Sequence, residues 1–168
     1  MFPQTYDSAA RAAAEDIARL ARERGLSVAV AESLTGGTLA AHLAAAPDSS
    51  DWFAGGVVSY QTRVKCDVLH VPEGQPVITE AAALAMCRGV ADLMHADAAV
   101  AVTGAGGPGP QEGQPAGTVW IAATVGGHQQ TRVHHFPGET GAILARTRQH
   151  ALELLLALIS SHDPRGPS

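Results

Sequence analysis

Three short apolar segments, each followed at once by polar residues or glycine, constrain the fold of this chain more than any other feature. They are LSVAVA at 26–31, GGVVSY at 55–60 and DAAVAVTG at 97–104. The segments around them carry alanine, leucine and isoleucine at helical spacing. Short apolar strands that alternate with amphipathic helices are typical of a sheet covered by helices on both faces.

The helices are predicted from this spacing and from residues that begin or end a helix. The first covers 7–24 and stops at Gly25, since glycine readily ends a helix. Thr79 is the expected N-cap of a helix that reaches about residue 96. The other predicted helices cover 36–46, 62–71 before Pro72, and the stretch from Pro137-Gly138 to about Ser160.

A β-hairpin is predicted in the last third of the chain. TVWIAATV at 118–125 and TRVHHF at 131–136 flank Gly126-Gly127, a typical two-residue turn. A hairpin requires at least one antiparallel strand. We therefore predict an α/β fold, a three-layer α/β/α sandwich with a mixed, mostly parallel sheet of five to six strands.

Composition excludes several classes of protein. The net charge of −5 argues against a nucleic-acid surface, which is normally basic. The apolar run ALELLLALI is too short to span a bilayer, and residues 1–20 lack the apolar region of a signal peptide. Two cysteines, Cys66 and Cys87, make no disulfide framework and are expected to pack as small apolar residues. We expect a cytoplasmic protein that binds neither membrane nor nucleic acid.

Functional side chains follow each of the three predicted strands. In such sheets ligands bind beyond the carboxyl ends of parallel strands. We expect Val28–Ala31, Val57–Tyr60 and Ala98–Thr103 to be neighbouring strands. Their ends would then bring together the Ser33 hydroxyl, the Lys65 amine and the N–H groups of the Gly/Pro loop, AGGPGPQEGQPAG at residues 105–117.

This combination suits acyl transfer. A serine hydroxyl is a weak nucleophile until a base takes its proton, and a desolvated lysine is able to do so. Backbone N–H groups at a helix N-terminus or in a glycine turn stabilise an oxyanion or hold a phosphate. Each residue also has a structural interpretation: Ser33 as an N-cap, Lys65 as a solvated helix residue, Tyr60 as an edge aromatic and Thr103 as an ordinary strand residue.

Two other sites are disfavoured. GAGGPG at 104–109 matches the glycine pattern of dinucleotide-binding loops, but PQEGQPAG follows it and does not open the helix that such a loop requires. His134 and His135 are adjacent in a predicted strand, so they point to opposite faces and do not bind one metal ion together. We expect neither a metal site nor a cofactor.

Four motifs carry a resemblance to a known family. AESLTGG, GGVVSYQTRVK, AVTGAGGPG and PAGTVWIA together resemble the C-terminal domain family of the competence/damage-inducible protein CinA, over nearly the whole chain. The resemblance implies an amidohydrolase that converts nicotinamide mononucleotide to nicotinate mononucleotide and ammonia without a metal. It places the nucleophile on Ser33 and the base on Lys65, with Tyr60 beside it.

The resemblance also implies where substrate, a small pyridine nucleotide, would bind. The implied binding residues are Glu32, Thr35, Gly36, Gly37, Thr103, Gly104, Ala105 and Gly106. The chain departs from the family pattern at Thr140 and Leu144, where arginine is usual. An alternative is therefore a catalytically silent nucleotide-binding or assembly module with the same fold. We further expect one domain over 1–168, with 1–6 and 161–168 frayed, and a homodimer.

Overall fold

A five-stranded sheet forms the centre of the protein, for which a computed structural model describes residues 4–162 and Pro164. Its strands are β1 (Val28–Glu32), β2 (Phe53–Val58), β3 (Ala98–Gly104), β4 (Thr118–Val125) and β5 (His128–His135), in the order β2-β1-β3-β4-β5. β1 pairs in parallel with β2 and β3, whereas β4 pairs antiparallel with β3 and β5. Four strands therefore run in one direction and β4 runs against them.

Helices cover both faces of the sheet. They are α1 (Gln4–Arg24), α2 (Thr38–Ala44), α3 (Thr62–Leu69), α4 (Glu80–Met94) and α5 (Thr140–Ser161), with one turn of 3-10 helix at Ser49–Asp51. Residues of α1, α2 and α5 share one core cluster, and residues of α3 and α4 share the other. The predicted α/β/α sandwich with a mixed sheet of five strands is confirmed.

The two core clusters follow from a regular alternation of valine and alanine in the strands. Val28 and Val30 of β1 face α1 and α5, while Ala29 and Ala31 face α4. Side chains alternate between the faces of a strand, so one face carries branched side chains and the other only methyl groups. All of these side chains are fully buried, so β1 contributes to both cores.

The register of the parallel strands sets the position of the site. Ala31 lies beside Val57 of β2 and beside Ala101 of β3. The carboxyl ends of β1, β2 and β3 therefore meet at one edge of the sheet, as predicted. Ser33 directly follows β1, and Thr103 lies next to the last residue of β3, so both residues lie at this edge.

Some element boundaries differ from the prediction. β2 ends at Val58 rather than residue 60, and α3 ends at Leu69 because His70 turns into the left-handed region, with φ 59°. β5 begins three residues earlier than predicted, since Gly126-Gly127 alone makes the turn and Val125 pairs with His128.

The predicted fraying at the chain ends concerns residues 1–6 and 161–168 and stays a prediction. Residues 4–6 belong to α1 and Ser161 belongs to α5, so these positions are helical. The remaining positions of that prediction, residues 1–3, 163 and 165–168, lie outside the described residues, whereas His162 and Pro164 lie beyond the end of α5.

Among the described residues, no helix is both long and apolar enough to cross a membrane.

The expected homodimer stays a prediction. Light scattering at micromolar protein concentration checks it, and a monomer at that concentration would contradict it.

A close contact between α3 and α4 gives a testable consequence for stability. A methyl group on Gly89 of α4 would lie 2.2 Å from the backbone oxygen of Leu69. We expect Gly89→Ala to lower the free energy of unfolding by about 1–3 kcal/mol, although alanine favours a helix by about 1 kcal/mol. Gly109→Ala is the control, because nothing lies within 4 Å of the added carbon. Equal stability of the two variants in urea unfolding would contradict the prediction.

Candidate active site

Ser33 lies where the chain leaves β1 and turns into α2. The turn is closed by two backbone hydrogen bonds, from the Gly36 N–H to the Ser33 carbonyl and from the Thr38 N–H to the Thr35 carbonyl, both 3.1 Å. Gly36 and Gly37 have φ values of 60° and 105°, in the region that favours glycine. The two glycines therefore make the turn that holds Ser33 at the carboxyl edge of the sheet.

Glu32 supports this turn from inside. Its buried carboxylate accepts hydrogen bonds from the N–H groups of Gly37 (3.1 Å), Leu39 (2.9 Å) and Ala40 (2.9 Å). These N–H groups lie at the N-terminus of α2, where they have no partner within the helix. The protein's own carboxylate thus occupies the anion-binding end of α2, and the substrate contact expected of Glu32 stays a prediction.

Lys65 lies in α3, directly after β2, and its side chain is only 2% exposed. Its amine donates to the carbonyl oxygens of Ser59 (2.6 Å) and Tyr60 (3.3 Å). Burial lowers the pKa of Lys65, although the charges of Glu112 and Cys66 act in the opposite direction. A lowered pKa increases the fraction of neutral amine, which is the form that accepts a proton.

A chain of hydrogen bonds connects Lys65 with the backbone next to Ser33. The carbonyl of Ser59 accepts from Lys65, while the Ser59 N–H and hydroxyl both donate to the carbonyl of Glu32, at 2.8 and 3.0 Å. Glu32 directly precedes Ser33. Among the described residues, no hydrogen bond joins the Lys65 amine to the Ser33 hydroxyl itself.

A sequence signal for Lys65 was available and was not used in the prediction. The chain contains eleven lysine and arginine residues, of which Lys65 is the single lysine and the other ten are arginine. Arginine does not release its proton at working pH, whereas a buried lysine does. The single lysine of the chain therefore lies in this site.

Thr103 and Gly104 end β3 beside Ser33 and are held by protein contacts. The Thr103 hydroxyl donates to the carbonyl of Val77 at 2.6 Å. A β-carbon on Gly104 would lie 2.6 Å from the backbone oxygen of Thr118, so only glycine fits against β4. Ala105 is buried and donates its N–H to the same oxygen. The substrate contacts expected of these three residues stay predictions.

The glycine turn at Gly106-Gly107 faces the start of α5. A β-carbon on Gly106 would lie 3.6 Å from Leu34 and 3.8 Å from Leu144, and one on Gly107 would lie 3.2 Å from the Thr140 hydroxyl. The positions at which the family pattern has arginine therefore adjoin the site. They supply an apolar side chain and a hydroxyl, without positive charge.

Two further predicted residues have distinct environments. Tyr60 accepts a hydrogen bond from Lys65 through its carbonyl, and the residue is 69% exposed. Thr35 is buried, and its hydroxyl has no hydrogen-bond partner within the described part of the chain. Neither observation tests a contact with substrate.

Glu112 is a residue of this edge that the sequence analysis missed. It lies in the Gly/Pro loop, and its carboxylate accepts from the N–H groups of Val77 (3.0 Å) and Ile78 (2.8 Å). It also acts on the pKa of Lys65. Nothing in the composition of the loop indicated these partners, which lie 34 and 35 positions earlier in the sequence.

His134, His135 and Cys87 belong to other parts of the fold. The ring of His134 stacks on Phe136, with centroids 4.8 Å apart, whereas the Nδ1 atom of His135 lies 3.5 Å from the Thr118 hydroxyl. Cys87 is buried, and burial raises the pKa of its thiol to about 12. In the described ranges, no group of three or more histidine, cysteine or acidic residues is arranged to hold a metal ion.

The sequence has relatives among known proteins. A family model described as the CinA C-terminal domain matches residues 10–159. Protein YdeJ of Escherichia coli strain K12 is 38% identical over 139 residues, which are 80% of this chain and 81% of that protein. A putative competence-damage inducible protein of Geobacillus sp. strain WCH70 is 36% identical over 149 residues, which are 85% of this chain but only 36% of that protein.

The fold also matches solved structures. The competence damage-inducible protein A from Klebsiella pneumoniae MGH 78578 has a TM-score of 0.88 and 33% identity, with 92% of this chain and 99% of that chain covered. The competence/damage inducible protein CihA from Agrobacterium tumefaciens has a TM-score of 0.82 and 32% identity, with 94% and 98% covered. The names of these proteins state no substrate.

The role of Glu32 in holding the Ser33 turn is testable by stability. Glu32→Gln keeps the size of the side chain but turns one acceptor oxygen into a donor that faces N–H groups. We expect it to lower the free energy of unfolding by about 1–3 kcal/mol. Glu15→Gln, an exposed change on α1, is the control and should leave stability within about 0.5 kcal/mol. Similar urea midpoints for the two variants would contradict the role of Glu32.

Proposed function

Because the chain belongs to the CinA C-terminal domain family, we propose that it is an amidohydrolase of the nicotinamide-nucleotide deamidase type. The observation that carries the proposal is the buried amine of Lys65, with its lowered pKa, at the strand end next to Ser33. A buried lysine of this kind is costly for stability and suits a general base.

In the proposed reaction the Ser33 oxygen attacks the carbon of a bound carboxamide. Neutral Lys65 takes the serine proton and gives it to the departing nitrogen, so ammonia leaves and an acyl-enzyme remains. Water then attacks the acyl carbon, Lys65 takes a proton from that water, and the carboxylic acid is released as Ser33 regains its hydrogen. In unliganded sites, contacts between nucleophile and base commonly tighten only when substrate binds.

Backbone N–H groups near Ser33 supply the remaining requirement, which is stabilisation of the oxyanion. The N–H groups of Gly106 and Gly107 have no backbone acceptor among the described residues. The N–H groups of Gly37, Leu39 and Ala40 are bonded to Glu32 and are not free for this role. The proposal assigns the oxyanion to the glycine turn of the Gly/Pro loop.

The substrate proposed from the family resemblance is nicotinamide mononucleotide. Thr140 and Leu144 adjoin the site without positive charge, and arginine is the usual partner of phosphate. This observation counts against a phosphorylated substrate, and the second candidate function is a catalytically silent module, for nucleotide binding or for assembly. Ammonia release, measured on nicotinamide mononucleotide, its nucleoside and simple amides, separates the candidates: release from any of them supports the enzyme.

The division of work between Ser33 and Lys65 is testable by three substitutions. Ser33→Ala should reduce turnover by about 10³-fold or more, as in other nucleophile systems. Lys65→Arg keeps the charge but removes the base, so we expect a loss almost as large. Lys65→Ala should still fold. Activity of the wild type should rise with pH through the lowered pKa of Lys65, because the neutral amine is the active form.

The control for these variants is Ser50→Ala, an exposed serine outside the site, which should keep wild-type ammonia release. Thermal unfolding of each variant checks that losses are not caused by unfolding. Near-normal turnover of Lys65→Arg would show that Lys65 acts through its charge and that the base is another group.

A further inference from the structure

The Gly/Pro loop is anchored at its tip. Gln111 and Gln114 exchange two backbone hydrogen bonds, of 3.0 and 2.8 Å, which close a tight turn around Glu112. Glu112 itself has a φ of 51° and reaches back to the α3–α4 connection, residues 70–79. A loop of this composition is therefore held in one place by its single acidic side chain.

Both sides of Val77 are held by the end of β3 and by this loop. Its N–H donates to the carboxylate of Glu112, and its carbonyl accepts from the Thr103 hydroxyl. The N–H of Ile78 donates to the same carboxylate. Val77 and Ile78 are themselves buried. The side chains of Glu112 and Thr103 thus tie the α3–α4 connection to the carboxyl edge of the sheet, where Lys65 lies.

The described residues around the Lys65 amine include carbonyl partners and two charged groups that act on its pKa. From the end of β2 the amine meets the carbonyl oxygens of Ser59 and Tyr60. The charged groups that act on its pKa are Glu112 of the Gly/Pro loop and Cys66 of α3, and both oppose the effect of burial. Of the two, the Glu112 carboxylate is the one held in place by hydrogen bonds to the connection.

We propose that Glu112 is a positioning residue of the site, which fixes the Gly/Pro loop on the α3–α4 connection and so holds a negative charge in electrostatic range of Lys65. The catalytic part of this inference rests on the proposed function. The Oε1 atom of Glu112 alone accepts from both N–H groups, at 3.0 and 2.8 Å, so glutamine retains that acceptor and loses only the second contact of Oε2 with Val77. The charge and the anchoring are therefore separable by substitution.

The single lysine makes a direct experiment available. Protein grown with lysine labelled with ¹³C at the ε position gives one labelled side chain, so its pH titration by NMR reports Lys65 without assignment. Glu112→Gln keeps the acceptor and removes the charge. We expect Lys65 to titrate at lower pH than in the wild type, because a negative charge favours the protonated amine.

The same change should be visible in the pH profile of activity. The acid limb of kcat/KM should move to lower pH in Glu112→Gln, which corresponds to a rate about threefold higher than wild type on that limb. Glu112→Ala removes the anchor as well, so we expect the same displacement together with a higher KM. Glu73→Gln, an exposed acid in the same connection, is the control and should move neither measurement.

The outcomes separate this inference from the proposed function. An unchanged Lys65 titration in Glu112→Gln would overturn the role of Glu112, even in an active amidohydrolase. A displaced titration in a protein that releases ammonia from no amide would contradict the proposed function and still support the placement of the charge. A displacement of equal size in Glu73→Gln would also overturn the inference. An exposed charge elsewhere in the connection would then shift the titration of Lys65 as much as Glu112 does.

Discussion

The burial of one amine at the carboxyl edge of the sheet is the constraint on which the site depends. An ammonium group loses its hydration when it is buried, and the protein must replace it or favour the neutral form. Lys65 receives two carbonyl oxygens, from Ser59 and Tyr60. Ser59 in turn donates twice to the carbonyl of Glu32, so the groups that solvate the amine also fix the strand end that carries Ser33.

A buried carboxylate completes this edge and explains the motif that surrounds Ser33. Glu32 is buried, and its carboxylate accepts hydrogen bonds from three N–H groups at the N-terminus of α2. This end of the helix carries the positive end of the helix dipole. That contact requires the chain to reverse within a few residues, which Gly36 and Gly37 allow through positive φ. The acid, the serine and the glycines of AESLTGG are therefore parts of one turn.

The sequence was sufficient for features encoded by local patterns and insufficient for those encoded by distant contacts. Short apolar runs predicted the buried strands, and polar residues at their ends predicted where Ser33 lies. The start of β5 was missed because His128, Gln129 and Gln130 are all exposed and show no apolar alternation. Glu112 was missed because its partners lie in another connection, and no short-range pattern records a contact across more than thirty residues.

The proposed reaction requires Lys65 in two protonation states, and the surroundings of Lys65 both lower and raise its pKa. Attack by Ser33 requires a neutral amine, whereas departure of ammonia requires a protonated one. A pKa lowered by burial alone favours the first step at the expense of the second. The charge of Glu112 opposes burial without cancelling it, since the pKa of Lys65 remains lowered. In the proposed reaction, burial favours the form of Lys65 that accepts a proton and the charge of Glu112 favours the form that donates one, so the position of the Gly/Pro loop bears on the second half of the cycle.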